Sequence, residues 1–307
     1  MTCTTSQRAR PRPRARRGRP VRRGRRGARA GRPGGAPLTP LRGGCAAGEP
    51  ADMVLRERTH GGETDADLYA RGTATLLAAW EEYARGARDA AVQRLPGVAA
   101  AVFPHGPERG VYNNAVLVGG LLRPERAAAL DAMEEAYAAA GITRFAAWVH
   151  EDDVAMRADL EHRGYTLDET TRAMGLTLDE LRVPRPALDV AAPDWAEYLR
   201  VIEVPVDLLA DADHAAFHVV VARLGTESVA AAMAYDHRDD CGIYNVGTLS
   251  HARRRGLGTA VTALLLHEAR DRGRRTASLQ ATPMAERLYA TLGFRDLGRI
   301  LEYVPER

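Results

Sequence analysis

The chain has 307 residues, of which 45% are hydrophobic, and this length suits two domains of ordinary size. No apolar run approaches the ~20 residues that span a bilayer, so the sequence argues against a membrane enzyme. Its three cysteines, Cys3, Cys45 and Cys241, have no metal-ligand or redox spacing and are too few for a disulfide framework. A reducing, cytoplasmic location is therefore expected.

All 43 basic residues are arginine, and they are distributed unevenly along the chain. Residues 1–50 contain 14 arginines and one acidic residue, whereas residues 51–307 contain 29 arginines and 39 acidic residues. Residues 1–52 have almost no large apolar side chains, so we expect a disordered tail. Three explanations stay open for it: translation beginning at Met53, a passive tail, or an arm that binds nucleic acid through its phosphates. Nucleic-acid binding is not expected outside this tail.

Hydrophobic periodicity predicts a first run of elements between residues 60 and 178. Helices are expected at 65–90, 126–140 and 154–163, and strands at 98–103, 111–118, 144–150 and 174–178. Residues 179–188 include two prolines and are predicted to form a linker.

A second run of elements follows the linker and repeats the order of the first. Strands are expected at 216–222, 229–235, 243–249 and 276–281, and helices at 193–202, 257–272 and 283–292. Gly141 and Gly164 of the first run fall at the positions of Gly273 and Gly293 in the second. We infer two copies of one fold, at 60–178 and 189–307.

The segment 243–273 indicates a strand, a loop and a helix that together suit a phosphate group. The first amides of a helix have no partner inside it and carry the positive end of the helix dipole. Gly256 and Gly258 leave no side chain between these amides and a ligand, and three arginines precede them. A dinucleotide fingerprint would need a third glycine, but that position holds Val261.

Two motifs carry a resemblance to a known superfamily. The spacing Arg253-x-x-Gly256-x-Gly258 resembles the acyl-CoA signature of the GNAT acetyltransferases, in which a strand precedes the loop and a long helix follows it. The string Leu288-Tyr289-Ala290-Thr291-Leu292-Gly293-Phe294 resembles their L-Y-x-x-x-G-F ending. The resemblance is specific over about residues 190–303 and weak over 60–178. It implies an α/β (α+β) fold of two tandem GNAT-like acyl-CoA N-acyltransferase domains, each a mixed, mostly antiparallel sheet flanked by helices.

The same resemblance implies acetyl-CoA as co-substrate, with its pyrophosphate on the amides of the glycine loop and its pantetheine arm along the preceding strand. The residues implied in acetyl-CoA binding are Thr248, Leu249, Arg253, Arg254, Arg255, Gly256, Leu257, Gly258, Thr259 and Ala260. Tyr289 is implied as the general acid for the departing thiolate, which suits a phenol of pKa ~10. The alternative for Tyr289 is a core tyrosine. Many family members carry Asn seven residues before this tyrosine, where this chain has Thr282 followed by Pro283.

The acceptor in this reading is an amine that attacks the thioester directly, since no motif for an acyl-enzyme nucleophile is present. Asp236, Tyr244 and Asn245 are candidates for the acceptor side because they lie on the strands leading to the site. The sequence names no general base and no oligomeric state. The acidic balance of residues 51–307 slightly favours a cationic amine, and small-molecule and peptide amines both stay open.

The first copy lacks both motifs. With an offset of 132 residues, Gly256 and Gly258 correspond to Pro124 and Arg126, and with an offset of 129, Tyr289 corresponds to Leu160. We therefore interpret residues 60–178 as a degenerate copy with a structural or acceptor-shaping role, and residues 189–307 as the catalytic domain.

Two other function classes stay open. A catalytically silent acyl-CoA-binding regulatory module would keep the glycine loop and lose the acid, and a nucleic-acid-associated protein would act through the arginine tail. No metal is expected. The polar run 150–153 has the residue types of a metal cluster, but it lies where a strand turns into a helix, which favours a helix cap. His237 and Asp236 suit either a general base at a strand end or a polar hairpin, and the hairpin is favoured.

Overall fold

The computed structural model describes residues 62–106, 112–192, 194–203 and 212–306, and the predicted tail 1–52 lies outside these ranges. The helices are α1 (Asp65–Gly86), α2 (Arg123–Ala139), α3 (Val154–His162), α4 (Trp195–Val201), α5 (Leu257–Asp271) and α6 (Glu286–Leu292). The strands are β1 (Ala91–Leu95), β2 (Val98–Val102), β3 (Asn114–Leu117), β4 (Ala146–His150), β5 (Tyr165–Thr177), β6 (His218–Leu224), β7 (Glu227–His237), β8 (Asp240–Thr248), β9 (Thr276–Ala281) and β10 (Arg295–Pro305). None of the described helices is both long and apolar enough to cross a membrane.

The described strands form one ten-stranded sheet in the order β1-β2-β3-β4-β10-β5-β9-β8-β7-β6. Neighbours are antiparallel except for two parallel pairs, β3 with β4 and β8 with β9. Helices flank this sheet, so the predicted mixed, mostly antiparallel α/β architecture is confirmed. The same strand and helix order recurs in residues 91–177 and 218–305.

The two final strands of these runs cross over at the centre of the sheet. β10, the last strand of the second run, pairs with β4 of the first, and β5 pairs with β9 of the second. Tyr303 of β10 is 1% exposed and packs with Leu130 and Phe145 in the core of the first run. Its hydroxyl also donates to the carboxylate of Glu161 in α3. Each run therefore completes its part of the sheet with a strand from the other.

Helix α1 ties the two runs together on one face of the sheet. It begins at a capping box in which the Thr64 hydroxyl accepts from the Asp67 amide and the Asp67 carboxylate accepts from the Thr64 amide. Trp80 meets Trp148 of β4 edge-on, with 5.4 Å between ring centroids, and Tyr83 stacks on Phe217 at 5.3 Å. Burying one such side chain contributes about 1.5–3 kcal/mol, so α1 holds both runs to one core.

Most predicted elements are present, and four differ. β10 was predicted only as the last strands after the turn at 293–294, without bounds. β1 was not predicted, because its alternation is broken by Gln93 and Arg94 and it lies at an edge of the sheet. β5 begins at Tyr165 rather than at residue 174. Its first part is polar and gives no apolar signal in the sequence, but it is held in the sheet by its pairing with β10. The predicted linker contains a 3₁₀ turn at Leu178–Glu180. The boundaries 60–178 and 189–307 stay a prediction, because both runs share one sheet.

Candidate active site

Strands β8 and β9 separate part-way along their length and leave a gap in the sheet. They pair only from Asp240 to Gly242, opposite Thr276 to Ser278. β8 also carries a bulge there, because its register with β7 jumps between Tyr244 and Gly247, and Asn245 takes a left-handed conformation with φ of 51°. The strand edge facing the gap is therefore open beyond Gly242.

A cleft that is partly open to solvent occupies this gap. Its lining residues are Ile243, Tyr244, Asn245, Val246, Gln280, Thr282, Ala285 and Tyr289. Tyr289 is 7% exposed and stands edge-on to Phe294, with ring centroids 5.9 Å apart. Gly293 ends α6 with φ of 103°, so the turn after the helix needs glycine and brings Phe294 back against Tyr289.

The N-terminus of α5 lies at one end of this gap. Gly256 is its N-cap, with φ of 76° and no side-chain cap. The first intrahelical bond runs from the Ala260 amide to the Gly256 carbonyl at 2.9 Å, so the amides of Leu257, Gly258 and Thr259 precede it. Arg253, Arg254 and Arg255 are all exposed beside these amides. The arrangement provides donors and positive charge for an anion.

Gly256 and Gly258 serve different purposes in this loop. A Cβ on Gly256 would meet nothing within 4 Å, so the position needs glycine for its positive φ. A Cβ on Gly258 would lie 3.3 Å from Leu288 and 3.7 Å from the Thr248 hydroxyl, so this glycine lets α5 pack closely on β8 and α6. Arg253 donates through Nε to the Thr248 carbonyl at 3.0 Å and fixes the loop to the strand end.

The ten residues predicted to bind acetyl-CoA, 248–249 and 253–260, thus lie together, from the end of β8 to the first turn of α5. Two of the three predicted acceptor-side residues, Tyr244 and Asn245, also line the cleft. The Tyr244 side chain turns back over Gly242, whose missing Cβ leaves room for it, and lies in the core under α1. Burial raises the pKa of Tyr244 well above its usual value, so its hydroxyl stays protonated at neutral pH.

Asp236, the third predicted acceptor-side residue, lies elsewhere. Its carboxylate accepts two hydrogen bonds from Arg272, at 2.8 and 3.0 Å, and lies 3.5 Å from His218. Arg272 is the C-cap of α5, so Asp236 is at the opposite end of that helix from the glycine loop. Burial acts to raise its pKa, but the bonds from His218 and Arg272 outweigh this and hold the pKa well below its usual range. Asp236 therefore joins α5 to the β7–β8 hairpin.

Gln280 is a further cleft residue that was not predicted from the sequence. Its side chain lines the cleft opposite the bulge, and its Oε1 atom is buried without a partner among the described residues. The alternation of β9 indicates on which face of the strand the Gln280 side chain lies. It does not indicate the gap beside β9, so the place of Gln280 in the cleft was not predictable from it.

Asp153 caps α3 as predicted, since its carboxylate accepts from the Met156 amide at 3.0 Å. His150 of the same polar run is bound through Nε2 to the Leu297 carbonyl at 2.9 Å. Among the described residues, no group of three or more His, Cys, Asp or Glu side chains is placed to hold a metal ion.

The matching helix start in the first run, that of α2, has a different chemistry. Its N-cap is Leu122, so the helix starts align Leu122 with Gly256 and Pro124 with Gly258, two residues away from the predicted correspondence. Pro124 has no amide hydrogen, and the Glu125 carboxylate accepts from the Leu122 amide at 2.7 Å. This helix start therefore carries a negative charge and has one amide donor fewer than the start of α5.

Comparison with known proteins agrees with this geometry. Residues 182–294 match the family described as Acetyltransferase (GNAT) family. The chain contains a GNAT domain. The match supports acyl transfer as the general class of activity. A comparison with curated proteins found no match.

Solved structures show the same GNAT fold. A GCN5-related N-acetyltransferase from Kribbella flavida is 20% identical with a TM-score of 0.60, over 78% of this chain and 96% of that one. A GCN5-related N-acetyltransferase from Sphaerobacter thermophilus is 16% identical with a TM-score of 0.51, over 83% and 96%. A functionally unknown conserved protein from Staphylococcus epidermidis is 11% identical with a TM-score of 0.53, over 69% and 92%. At these identities the likeness concerns the fold alone.

Proposed function

We propose that this chain is an N-acetyltransferase that moves an acetyl group from acetyl-CoA to an amine, by direct attack in a ternary complex. The observation that carries the proposal is the open gap between β8 and β9, with the bare N-terminus of α5 at one end and Tyr289 in its wall. We further propose that residues 189–307 form the catalytic domain, with 179–188 as linker and 60–178 as a degenerate copy.

The donor is held by charge and by backbone donors. The amides at the start of α5 bind the pyrophosphate, and Arg253, Arg254 and Arg255 supply positive charge beside them. The edge of β8 at Thr248 and Leu249 aligns the pantetheine arm, because no strand covers it there. This placement brings the thioester to the bulge at Asn245.

The reaction then needs three events at the thioester. The amine nitrogen forms a bond to the carbonyl carbon, the carbon–sulfur bond breaks, and Tyr289 gives its proton to the departing thiolate. Backbone amides at the β8 bulge polarise the carbonyl as its oxygen gains negative charge. Positioning of the two substrates supplies much of the rate gain. The proton lost by the amine goes to a general base.

On the acceptor side we retain Tyr244 and Asn245 and add Gln280, because all three line the cleft. Tyr244 acts there as a buried wall. The Gln280 amide is the polar group best placed to hydrogen-bond an acceptor, since its Oε1 has no partner among the described residues. The acceptor is a small-molecule or peptide amine.

The test is a thiol-release assay on the full chain with acetyl-CoA and a broad panel of amines. We expect release above the hydrolytic background with at least one class of amine, together with the N-acetylated product by mass spectrometry. Acetyl-CoA binding without turnover across the panel would contradict the proposal and favour a silent acyl-CoA-binding module. Release without an acetylated amine would mean thioester hydrolysis.

A further inference from the structure

The first run of strands has a second cleft, at the position that matches the active-site cleft. β3 and β4 pair in parallel only from Asn114 to Val116, opposite Ala146 to Trp148, and then separate. The space that opens is walled by the ends of these strands and roofed by α1, through Tyr69, Thr73 and Leu77. We call it the N-terminal cleft. It is partly open to solvent and larger than the cleft beside Tyr289.

The wall of the N-terminal cleft is mainly apolar. Leu77, Val98, Val116, Leu117 and Val149 line it, and Val118 at its side is 50% exposed. When a ligand covers an apolar side chain that is this exposed to water, the free energy of the system falls, and this favours binding.

The polar side chains in the same wall already have partners. Arg94 donates to the Glu81 carboxylate at 2.9 and 2.7 Å, and His150 is bound to the Leu297 carbonyl. Tyr69 is hydrogen-bonded with Thr73, and burial raises the pKa of Tyr69 to about 12, so its hydroxyl is neutral. The cleft thus offers a ligand apolar contact and little else.

The nearby start of α2 excludes acyl-CoA as the occupant. The Glu125 carboxylate accepts from the Leu122 amide and Pro124 contributes no amide hydrogen, so a pyrophosphate would meet negative charge and fewer donors. The start of α5, beside the active-site cleft, has the reverse chemistry, with three exposed arginines and a glycine N-cap.

We propose that the N-terminal cleft binds an uncharged aliphatic chain, separately from the acetyl-CoA site. The aliphatic chain of the ligand lies along the apolar ends of β3 and β4 under α1. Any polar head group of the ligand stays in water at the opening of the cleft.

The test is calorimetric titration of the full chain with 1-alkanols from hexan-1-ol to decan-1-ol, below their solubility limits. Affinity should rise roughly two- to fourfold for each added methylene, with one alkanol bound per protein. Saturating CoA should leave this binding unchanged. An absence of saturable binding would overturn the proposal, and so would displacement by CoA, since it would place the alkanol in the other cleft.

Two matched pairs of variants locate the site. Ala74→Phe puts a ring into the N-terminal cleft and should weaken decan-1-ol binding at least tenfold, whereas Ala66→Phe, exposed on the same helix, should not. Val118→Asp places a charge on the wall and should have the same effect, with the similarly exposed Leu167→Asp as control. Circular dichroism checks that each variant is folded. Wild-type affinity in both Ala74→Phe and Val118→Asp would refute the assignment.

Discussion

At the scale of single residues, Gly256 meets two requirements at the start of α5, a positive φ and open space in front of the first amides. Gly256→Val should raise the acetyl-CoA dissociation constant at least tenfold, or about 1.4 kcal/mol, because its side chain would stand where the pyrophosphate binds. Calorimetric titration with acetyl-CoA measures the dissociation constant. Gly273→Val is the control, since Gly273 has φ of 83° and equally open space at the other end of α5. Equal losses in both variants would indicate backbone strain alone.

Tyr289 distinguishes an enzyme from a silent binder. Tyr289→Phe keeps the ring against Phe294 and removes the proton, so kcat should fall while acetyl-CoA affinity stays constant. General acid catalysis contributes typically ~10²- to 10⁴-fold, and we expect the low end or somewhat below it because a thiolate leaves readily. Steady-state kinetics with one identified amine test this.

The control for that variant is Tyr137→Phe, which removes a buried hydroxyl bonded to the Ala101 carbonyl far from the cleft. It should lower stability by about 1 kcal/mol and leave kcat unchanged. An unchanged kcat in Tyr289→Phe would make Tyr289 a core residue, and a loss of affinity alone would make it a substrate contact.

Asp236 is a stability residue with a predictable pH dependence. Its folded pKa lies below the unfolded value of about 3.9, so the pair with Arg272 contributes fully at neutral pH and is lost as pH falls below about 4. Asp236→Asn should lower the free energy of unfolding by about 1–3 kcal/mol at pH 7, and the difference from wild type should shrink on acidification. Denaturant-induced unfolding at several pH values measures this difference in the free energy of unfolding.

The matched control is Asp271→Asn, whose carboxylate pairs with Arg185 and is 61% exposed. An exposed pair contributes at most about 1 kcal/mol, so this variant should be close to wild type. A pH-independent effect of Asp236→Asn would show that shape rather than charge matters at that position.

At the scale of elements, α5 and α2 occupy matching places in the two runs. They differ in the chemistry of the N-terminus that each presents to the cleft beside it. One helix begins with a glycine N-cap beside three arginines, whereas at the start of the other the Glu125 carboxylate accepts from the Leu122 amide. Titration should therefore show one acetyl-CoA bound per chain. Glu125→Ala should cost about 1 kcal/mol of stability without adding a second site, because Pro124 still lacks an amide hydrogen. A second binding event in wild type would contradict the degenerate assignment.

At the scale of the whole molecule, the exchange of β5 and β10 makes each half of the sheet depend on the other. Fragments 53–178 and 179–307 should each be unfolded or aggregated alone, because β4 and β9 would expose bare edges and the apolar face under α1 would be lost. Co-expression should restore a folded complex. Circular dichroism and size-exclusion chromatography test this against the chain from Met53. A folded, active fragment 179–307 would contradict it.

Local signals in the sequence were enough for the loop of the candidate site and for most elements. The glycine loop, α5 and α6 lie within one continuous stretch, and helix starts, glycine stops and apolar periods depend only on near neighbours. The repeated order of elements was visible for the same reason. β1 was missed because an edge strand needs little apolar alternation.

Only the tertiary structure decided which strands pair, because a period of two gives the buried face of a strand and not its neighbour. The exchange of β5 and β10 leaves no local trace, and neither does the distance of Asp236 from the cleft, since its partner Arg272 is 36 residues away. The gap that exposes Gln280 and the wide cleft under α1 likewise exist only once two distant strands pair and then separate.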